Sequence, residues 1–313
     1  MTKKLISVVV PIYNESENIV ELYNRIEAVL GKKTAYAYEL IFIDDGSSDG
    51  SWDHIRKLAR DNSCVRGICL SRNFGQQVAL SAGLDAAEGE AIIMMDGDLQ
   101  HPPEAITDLI AKWEEGYDVV YTIRKTNKAY NPLQKLISNC YYSIFRKMSG
   151  IDMPKGVVDF RLISKTVNEQ LKGFQERTRF VRGLVNWVGF KSVAIDYSAE
   201  KRYKGISKYS FFKLLKLATT SIMSFSSFPL YISGILGLFV AFLSAVYIVY
   251  AVYVKFFSDY TVPGWTSILV SVLFLGGVQL IAIGILGGYI AKIYEEVKQR
   301  PLYIIRQTTG TKT

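Results

Sequence analysis

Asp96 and Asp98 stand one residue apart, directly after the apolar run Ala91 to Met95, in the stretch AIIMMDGDLQHPP (91–103). An apolar run of this length between Gly89 and Pro102 reads as a strand buried on both faces. In extended chain, positions i and i+2 point to the same side, so both carboxylates face one spot beyond the strand's end. Two like charges that close repel unless something positive lies between them. The plain reading is a solvated acidic turn, since Asp-Gly-Asp is good turn chemistry. The chemical reading is a hard cation, Mg²⁺ or Mn²⁺, which takes carboxylate oxygens together with substrate phosphates. Such an ion neutralises charge on a leaving diphosphate as a Lewis acid. Gln100, two residues further on, would orient a ligand or water. His101, beside Pro102 and Pro103, is expected to be a surface loop residue, and His54 a residue on a helix face.

A second acidic cluster is DDGSSDGS (44–51). Asp44 and Asp45 end an apolar run, where carboxylates accept hydrogen bonds from a base N–H or ribose hydroxyls in nucleotide folds. Asp49 precedes a helical pattern and is expected as its N-cap. No Walker-type loop occurs and no GxGxxG follows the first strand, which argues against ATPase and dehydrogenase chemistry.

The elements that must carry these residues alternate. Apolar runs LISVVV (5–10), YELIFI (38–43), VRGICL (65–70), AIIMM (91–95) and YDVVYT (117–122) are separated by amphipathic stretches near 17–30, 50–61, 76–87 and 103–115. This predicts an α/β domain with a mainly parallel sheet. Ligands bind such sheets at the carboxyl ends of the strands. There the polar loops PIYNE, DDGSSDGS, SRNFGQ and DGDLQ all fall, which favours a site over an isolated turn. Further on, 133–150 reads as a basic amphipathic helix, VVDFRLISKTVNEQLKGF as a strand then a helix, and GFKSVAIDYSAEKRY as a strand running into a loop.

The chain has 313 residues, 49% hydrophobic and 21% charged. Leu217 to Val254 and Tyr260 to Ala291 hold no charged residue, and each exceeds the roughly 20 residues that cross a bilayer as helix. Residues 201–216 carry six basic residues and no acid, and KIYEEVKQRPLYIIR after the second run carries four basic and two acidic. Basic flanks on both sides put both on the cytoplasmic face with a short external hairpin. The expected organisation is a catalytic domain over 1–205, an interfacial segment over 206–226, membrane helices at 227–254 and 265–291 around an external loop at 255–264, and a cytoplasmic tail at 292–313. The net charge of +8 fits anionic lipid rather than nucleic acid. Lys3 and Lys4 run into an apolar stretch that Pro11, Asn14 and Glu15 end too early for a signal peptide. Cys64, Cys69 and Cys140 lack metal-ligand spacing and read as free thiols.

VVVPIYNESEN, IFIDDGSSDGS, SRNFGQQVALSAGLDAAEGE, MDGDLQHPPE, VVDFRLISK and GISKYS together resemble family 2 glycosyltransferases with the GT-A fold. More narrowly, they resemble bacterial polyprenyl-phosphate (bactoprenol) glucosyltransferases, relatives of dolichyl-phosphate mannose synthase. The likeness continues through SFSSFPL and SILVSVLFLGGVQLIAIGILGGYIAKIYEEVKQRPLYII, so it covers essentially the whole chain. One departure is visible: members commonly carry an acid in the segment where this chain has Gly288, then Ala291 and Lys292.

The resemblance implies roles. Pro11, Tyr13, Glu15, Asp44 and Arg72 would hold the uridine of a UDP-sugar, with Asp45 beside them. Asp96 and Asp98 would be the metal–diphosphate pair, with Gln100 close by. Asp159 would sit near the reacting sugar and Arg161 near phosphate. Arg202, Ser207 and Lys208 would meet the phosphate of a polyprenyl phosphate acceptor at the membrane surface. A homotetramer, a flippase and a downstream glycosyltransferase are the implied partners, and glucose is the implied sugar, with N-acetylhexosamine, galactose, a modified arabinose or mannose as alternatives. A phosphate acceptor with a second pKa near 6 is largely ionised at neutral pH, so Asp159 need not abstract a proton. A processive polysaccharide synthase would carry Q-x-x-R-W, and no Trp here follows an Arg. A non-catalytic nucleotide-sugar-binding scaffold remains the alternative of another class, and metal-dependent release of UDP separates it.

Overall fold

The computed structural model describes residues 3–31, 35–125, 157–174, 176–177, 179–198, 228–257 and 264–310. They form two compact units, Met1–Phe211 with Arg300–Thr313, and Phe212–Gln299.

The first unit is a sheet flanked by helices. β1 (Lys4–Ile12), β2 (Tyr36–Asp44), β3 (Val65–Leu70) and β4 (Ala91–Met94) alternate with α1 (Ser16–Leu30), α2 (Ser51–Asp61) and α3 (Gln76–Ala86). A 3₁₀ turn (Pro103–Ala105) and α4 (Ile106–Glu114) lead to β5 (Val119–Lys125). β6 (Val157–Ser164), α5 (Lys165–Gly173), α6 (Val181–Trp187) and β7 (Ser192–Ser198) complete the alternation, and β8 (Ile305–Thr309) returns from the far end of the chain. The order across the sheet is β7-β5-β6-β4-β1-β2-β3-β8. β6 and β8 run antiparallel to their neighbours, and the other pairings are parallel. The expected class, α/β with a mainly parallel sheet, is what the chain forms.

Central strands read as continuous apolar runs because helices cover both faces; Val8, Val9, Val10, Ile41, Phe42 and Ile93 are fully buried. α1 buries Ile19, Leu22, Ile26 and Leu30, the three-to-four spacing of one helix face. α3 lies close on the sheet because Gly83 has no side chain: a Cβ there would stand 2.3 Å from Val9 Cγ1. Cys64 and Cys69 are free thiols as expected, and burial together with Asp44 pushes Cys69 up to about 12. Cys140 lies outside the described residues, as does the helix expected at 133–150.

The segment expected as a tail divides. Its first residues extend the second apolar helix to Val297, and Ile305–Thr309 joins the sheet edge as β8, antiparallel to β3. Trp52 Nε1 donates to Gln307 Oε1 at 2.9 Å, Ser71 N to Ile304 O at 2.9 Å, and Tyr303 Oη to Asp85 Oδ2 at 3.0 Å.

The second unit holds α7 (Phe228–Phe257) and α8 (Trp265–Val297). At 1.5 Å per residue each exceeds the roughly 30 Å hydrocarbon core of a bilayer. Their apolar side chains point outward: Leu238 is 74% and Leu280 71% exposed. Both helices are long and apolar enough to cross a membrane by length and composition, which is consistent with a membrane-associated protein. The interfacial segment expected at 206–226 lies outside the described residues.

Candidate active site

Three loops at the carboxyl edge of the sheet are tied together by hydrogen bonds. Asn14, with φ 54°, adopts the left-handed conformation that Asn tolerates. From there its backbone N–H donates to Ser47 Oγ at 2.9 Å and its Oδ1 accepts from Ser48 N at 2.9 Å. Glu15 N donates to Ser51 Oγ at 3.1 Å, and Glu15 Oε2 accepts from Asn18 Nδ2 at 2.6 Å. Gly46, at φ +70°, lies where a Cβ would stand 2.5 Å from the Arg72 carbonyl carbon, so the second and third loops close on each other only with glycine there.

Asp49 is not the N-cap of α2. Gly50 takes that place. Asp49 instead joins two helix starts: Oδ2 accepts from Ser16 N at 3.0 Å, and Oδ1 from Ser51 N at 3.0 Å and Ser51 Oγ at 2.6 Å. Burial pushes its carboxyl up, and these bonds outweigh it and hold it below its ordinary value.

The expected uridine residues gather on this edge. Asp44 is buried, with Oδ1 accepting from Ser47 N at 3.3 Å and Oδ2 from Cys69 Sγ at 3.3 Å. Tyr13 is 40% exposed, and Pro11 pairs in register with Ile43. Arg72 stacks on Phe74, 4.0 Å from the ring centroid. Asp45 is turned to the loop after β3, accepting from Phe74 N at 2.7 Å and Gly75 N at 2.9 Å. Burial raises its pKa against the pull of those two bonds.

The loop after β4 carries the acidic pair. Asp98 is buried and accepts from Gln100 N at 3.1 Å, a local turn of the kind Asp favours. Leu99 between them holds φ 61°, a conformation costing a branched residue about 1–2 kcal/mol, and burial of its side chain in the core keeps it there. Asp96 Oδ1 accepts from Gln76 Nε2 at 2.6 Å.

His101 is not a surface residue. It is 4% exposed, stacked on Phe160 at 5.1 Å and edge-on to Tyr197 at 5.9 Å, and its Nδ1 accepts from Asp96 N at 3.1 Å. His54 lies on an exposed face of α2 as expected.

Antiparallel β6 brings Asp159 to this edge. Met94 pairs with Arg161, and extending that register by two residues sets Asp159 opposite Asp96. Arg182, at the start of α6, grips Asp159 through Nε at 3.1 Å and Nη2 at 2.9 Å. Arg161 approaches the same carboxylate at 3.7 Å from behind. Side-chain exposure orders the three: Arg161 1%, Asp159 14%, Arg182 25%. The arginine expected near phosphate is therefore the buried one, donating to Val158 O at 2.9 Å, and Arg182 is the one that solvent reaches. No sequence pattern singles out Arg182 from Arg177 and Arg179 beside it. Burial alone would raise Asp159, but Arg182 and Arg161 hold it below the ordinary carboxylate range. Asp96 goes the other way: burial pushes it up, Asp159 and Asp98 add to this, and Arg182 opposes it.

Among the described residues, no group of three or more His, Cys, Asp or Glu side chains is placed to hold a metal by itself. That donor set suits a hard cation held by one or two carboxylates and completed by phosphate oxygens. Arg202, Ser207 and Lys208 lie outside the described residues.

Residues 7–172, which include Asp44, Asp96, Asp98 and Asp159, match the model of glycosyl transferase family 2. The chain belongs to that family. It is a glycosyltransferase. YkcC, an uncharacterized glycosyltransferase of Bacillus subtilis (strain 168), is 41% identical over 304 residues, 97% of this chain and 94% of its own. The SfII prophage-derived bactoprenol glucosyl transferase of Shigella flexneri is 42% identical over 303 residues, 97% of this chain and 98% of its own. Matches of that extent take in the apolar helices as well as the sheet. Among solved structures, S. aureus TarS in complex with UDP-GlcNAc aligns over 72% of this chain and 68% of its own, with TM-score 0.45 and 17% identity.

Proposed function

We propose that this glycosyltransferase moves one glucose from UDP-glucose to a polyprenyl phosphate, with inversion, at the cytoplasmic face of the membrane. The observation that carries the reading is the state of Asp159. A general base needs a carboxylate free to take a proton at a pKa near the working pH. Asp159 is gripped by Arg182, backed by Arg161, and held below the usual range. An edge built this way suits an acceptor that arrives already ionised, and a lipid phosphate is such an acceptor. The near-complete match to a relative named bactoprenol glucosyl transferase supports both the lipid and the sugar.

In this reading Asp44, Tyr13, Pro11, Glu15 and Arg72 seat the uridine, and Asp45 shapes the loop that carries Arg72. Asp96 and Asp98 hold the divalent cation, Mg²⁺ or Mn²⁺, with Gln100 beside them. When bound, that cation neutralises charge on the departing UDP. Asp159 orients the sugar and stabilises positive charge at the reacting carbon, while Arg182 meets phosphate oxygens at the mouth of the site. Arg202, Ser207 and Lys208 gather the acceptor's headgroup from the bilayer. Both helices anchor the chain, with the termini cytoplasmic, and the assembly is a homo-oligomer.

The test is an assay of the purified protein with undecaprenyl phosphate, Mg²⁺ or Mn²⁺ and a panel of UDP-sugars, reading UDP release and lipid-linked sugar by mass. Glucose transfer by wild type and none by Asp98→Asn is expected. Transfer of another sugar alone would replace glucose, and UDP-sugar binding without transfer across the panel would favour the scaffold alternative.

A further inference from the structure

We propose that His101 is a positioning residue for Asp96, fixing the backbone and carboxylate of that residue in the attitude a metal–diphosphate requires. The inference rests on the assignment of Asp96 and Asp98 to the metal and adds to it the residue that holds one of them in place.

Both nitrogens of the His101 ring are turned toward Asp96. Nδ1 accepts the Asp96 N–H at 3.1 Å, and Nε2 stands 3.7 Å from Asp96 Oδ2. A neutral imidazole accepting at one nitrogen carries its proton on the other, so the N–H of the ring lies on the carboxylate side. Gln76, at the start of α3, takes the other oxygen at 2.6 Å. A loop carboxylate left to itself samples several staggered rotamers. Here Gln76 holds one oxygen, while His101 holds the backbone N–H of the same residue and lines the side of the other oxygen.

The ring is itself held. Phe160 lies against one face at 5.1 Å with the planes 14° apart, and Tyr197 meets it at 74°. Phe160 is fully buried, and its carbonyl accepts from the buried Thr122 hydroxyl at 2.8 Å. Phe160 also follows Asp159 directly in β6. The stack therefore relates the Asp96 loop to the strand that presents Asp159. Packing alone would be served by a phenylalanine. The nitrogen aimed at the Asp96 N–H is what a phenylalanine lacks.

Two variants separate the roles. His101→Phe keeps an aromatic ring and removes the acceptor, whereas His101→Asn sets an amide oxygen near the place of Nδ1 and removes the stack. Groups that orient metal ligands typically cost 10–100-fold in metal affinity when lost. The full-length protein in detergent, with UDP, is titrated with Mn²⁺ and followed by the free-ion electron paramagnetic resonance signal, alongside thermal unfolding. The expected result is a Mn²⁺ dissociation constant raised about tenfold or more in His101→Phe, with a melting temperature close to wild type. His101→Asn is expected to bind Mn²⁺ more tightly than His101→Phe despite its lost packing. Mn²⁺ binding by His101→Phe equal to wild type overturns the proposal, and so does equal weakening in the two variants, which would mark a packing role. Wild-type protein that binds UDP and takes up no Mn²⁺ would overturn the metal assignment and this proposal with it, an outcome told apart by the wild-type titration alone.

Discussion

On the side of the site built from β1 to β4, the carboxylates of Asp45, Asp49 and Asp98 accept backbone N–H groups: Phe74 and Gly75, Ser16 and Ser51, and Gln100. On the side built from β6 and α6, Asp159 is held by two guanidinium groups instead. Backbone dipoles fix a carboxylate's direction and leave its negative charge in place. Arginines cancel that charge, and two on one carboxylate leave a net positive cluster. In the function proposed above, the donor side would present Asp96 and Asp98 to a cation, while the positive cluster on the other side would receive a phosphate. One sheet edge carries both because β6 enters it antiparallel to β4.

The sharpest way to break the donor half is Asp98→Asn. It removes a charge from the cation site, and a loss of transfer on the order of 10³-fold is expected from several kcal/mol of lost charge stabilisation. Steady-state transfer rates check it, with UDP-glucose binding in the absence of metal as the control.

The acceptor half should fail differently. Asp159→Ala leaves Arg161 buried without its counter-charge, which costs about 3–5 kcal/mol of stability, read by denaturant unfolding. Arg182→Met keeps Arg161 on Asp159, so its stability loss should be smaller while transfer still falls.

The same contrast sets the pH response. Asp159, held low by its arginines, stays ionised through mildly acid conditions. An acid limb near pH 6 is expected from the acceptor phosphate and should persist in Asp159→Asn. Loss of that limb in the variant would return Asp159 to the role of a base.

The smallest effect is structural. Asp49→Ala removes three hydrogen bonds at an exposed position, for about 1 kcal/mol after solvent screening. The folded pKa of Asp49 is depressed. Its contribution is therefore in place above the unfolded value, about 3.9, and is lost as pH falls through the folded one. Melting temperatures of wild type and variant should converge in acid.

Much of this was legible in the sequence where one element explained one pattern. The buried strands read as apolar runs, and the loops after them carried the acids. β8 was not legible, because Ile305–Thr309 is a mostly polar stretch whose strand character comes from the open edge of β3. His101 was misread because two prolines beside it signal a loop, while its burial is set by Phe160 and Tyr197 from distant strands. Arg182 sits among arginines of equal promise, and its grip on Asp159 is a contact between α6 and β6 that the sequence does not show.

The central claim, that the acceptor must arrive ionised because Asp159 is not free to deprotonate it, is tested most directly by offering two acceptors of equal chain length. One is polyprenyl phosphate and the other is the corresponding polyprenol, with UDP-glucose and Mn²⁺ at neutral pH and products read by mass. The account predicts glucosyl transfer to the phosphate and none to the alcohol. Transfer to both at comparable rates would contradict it.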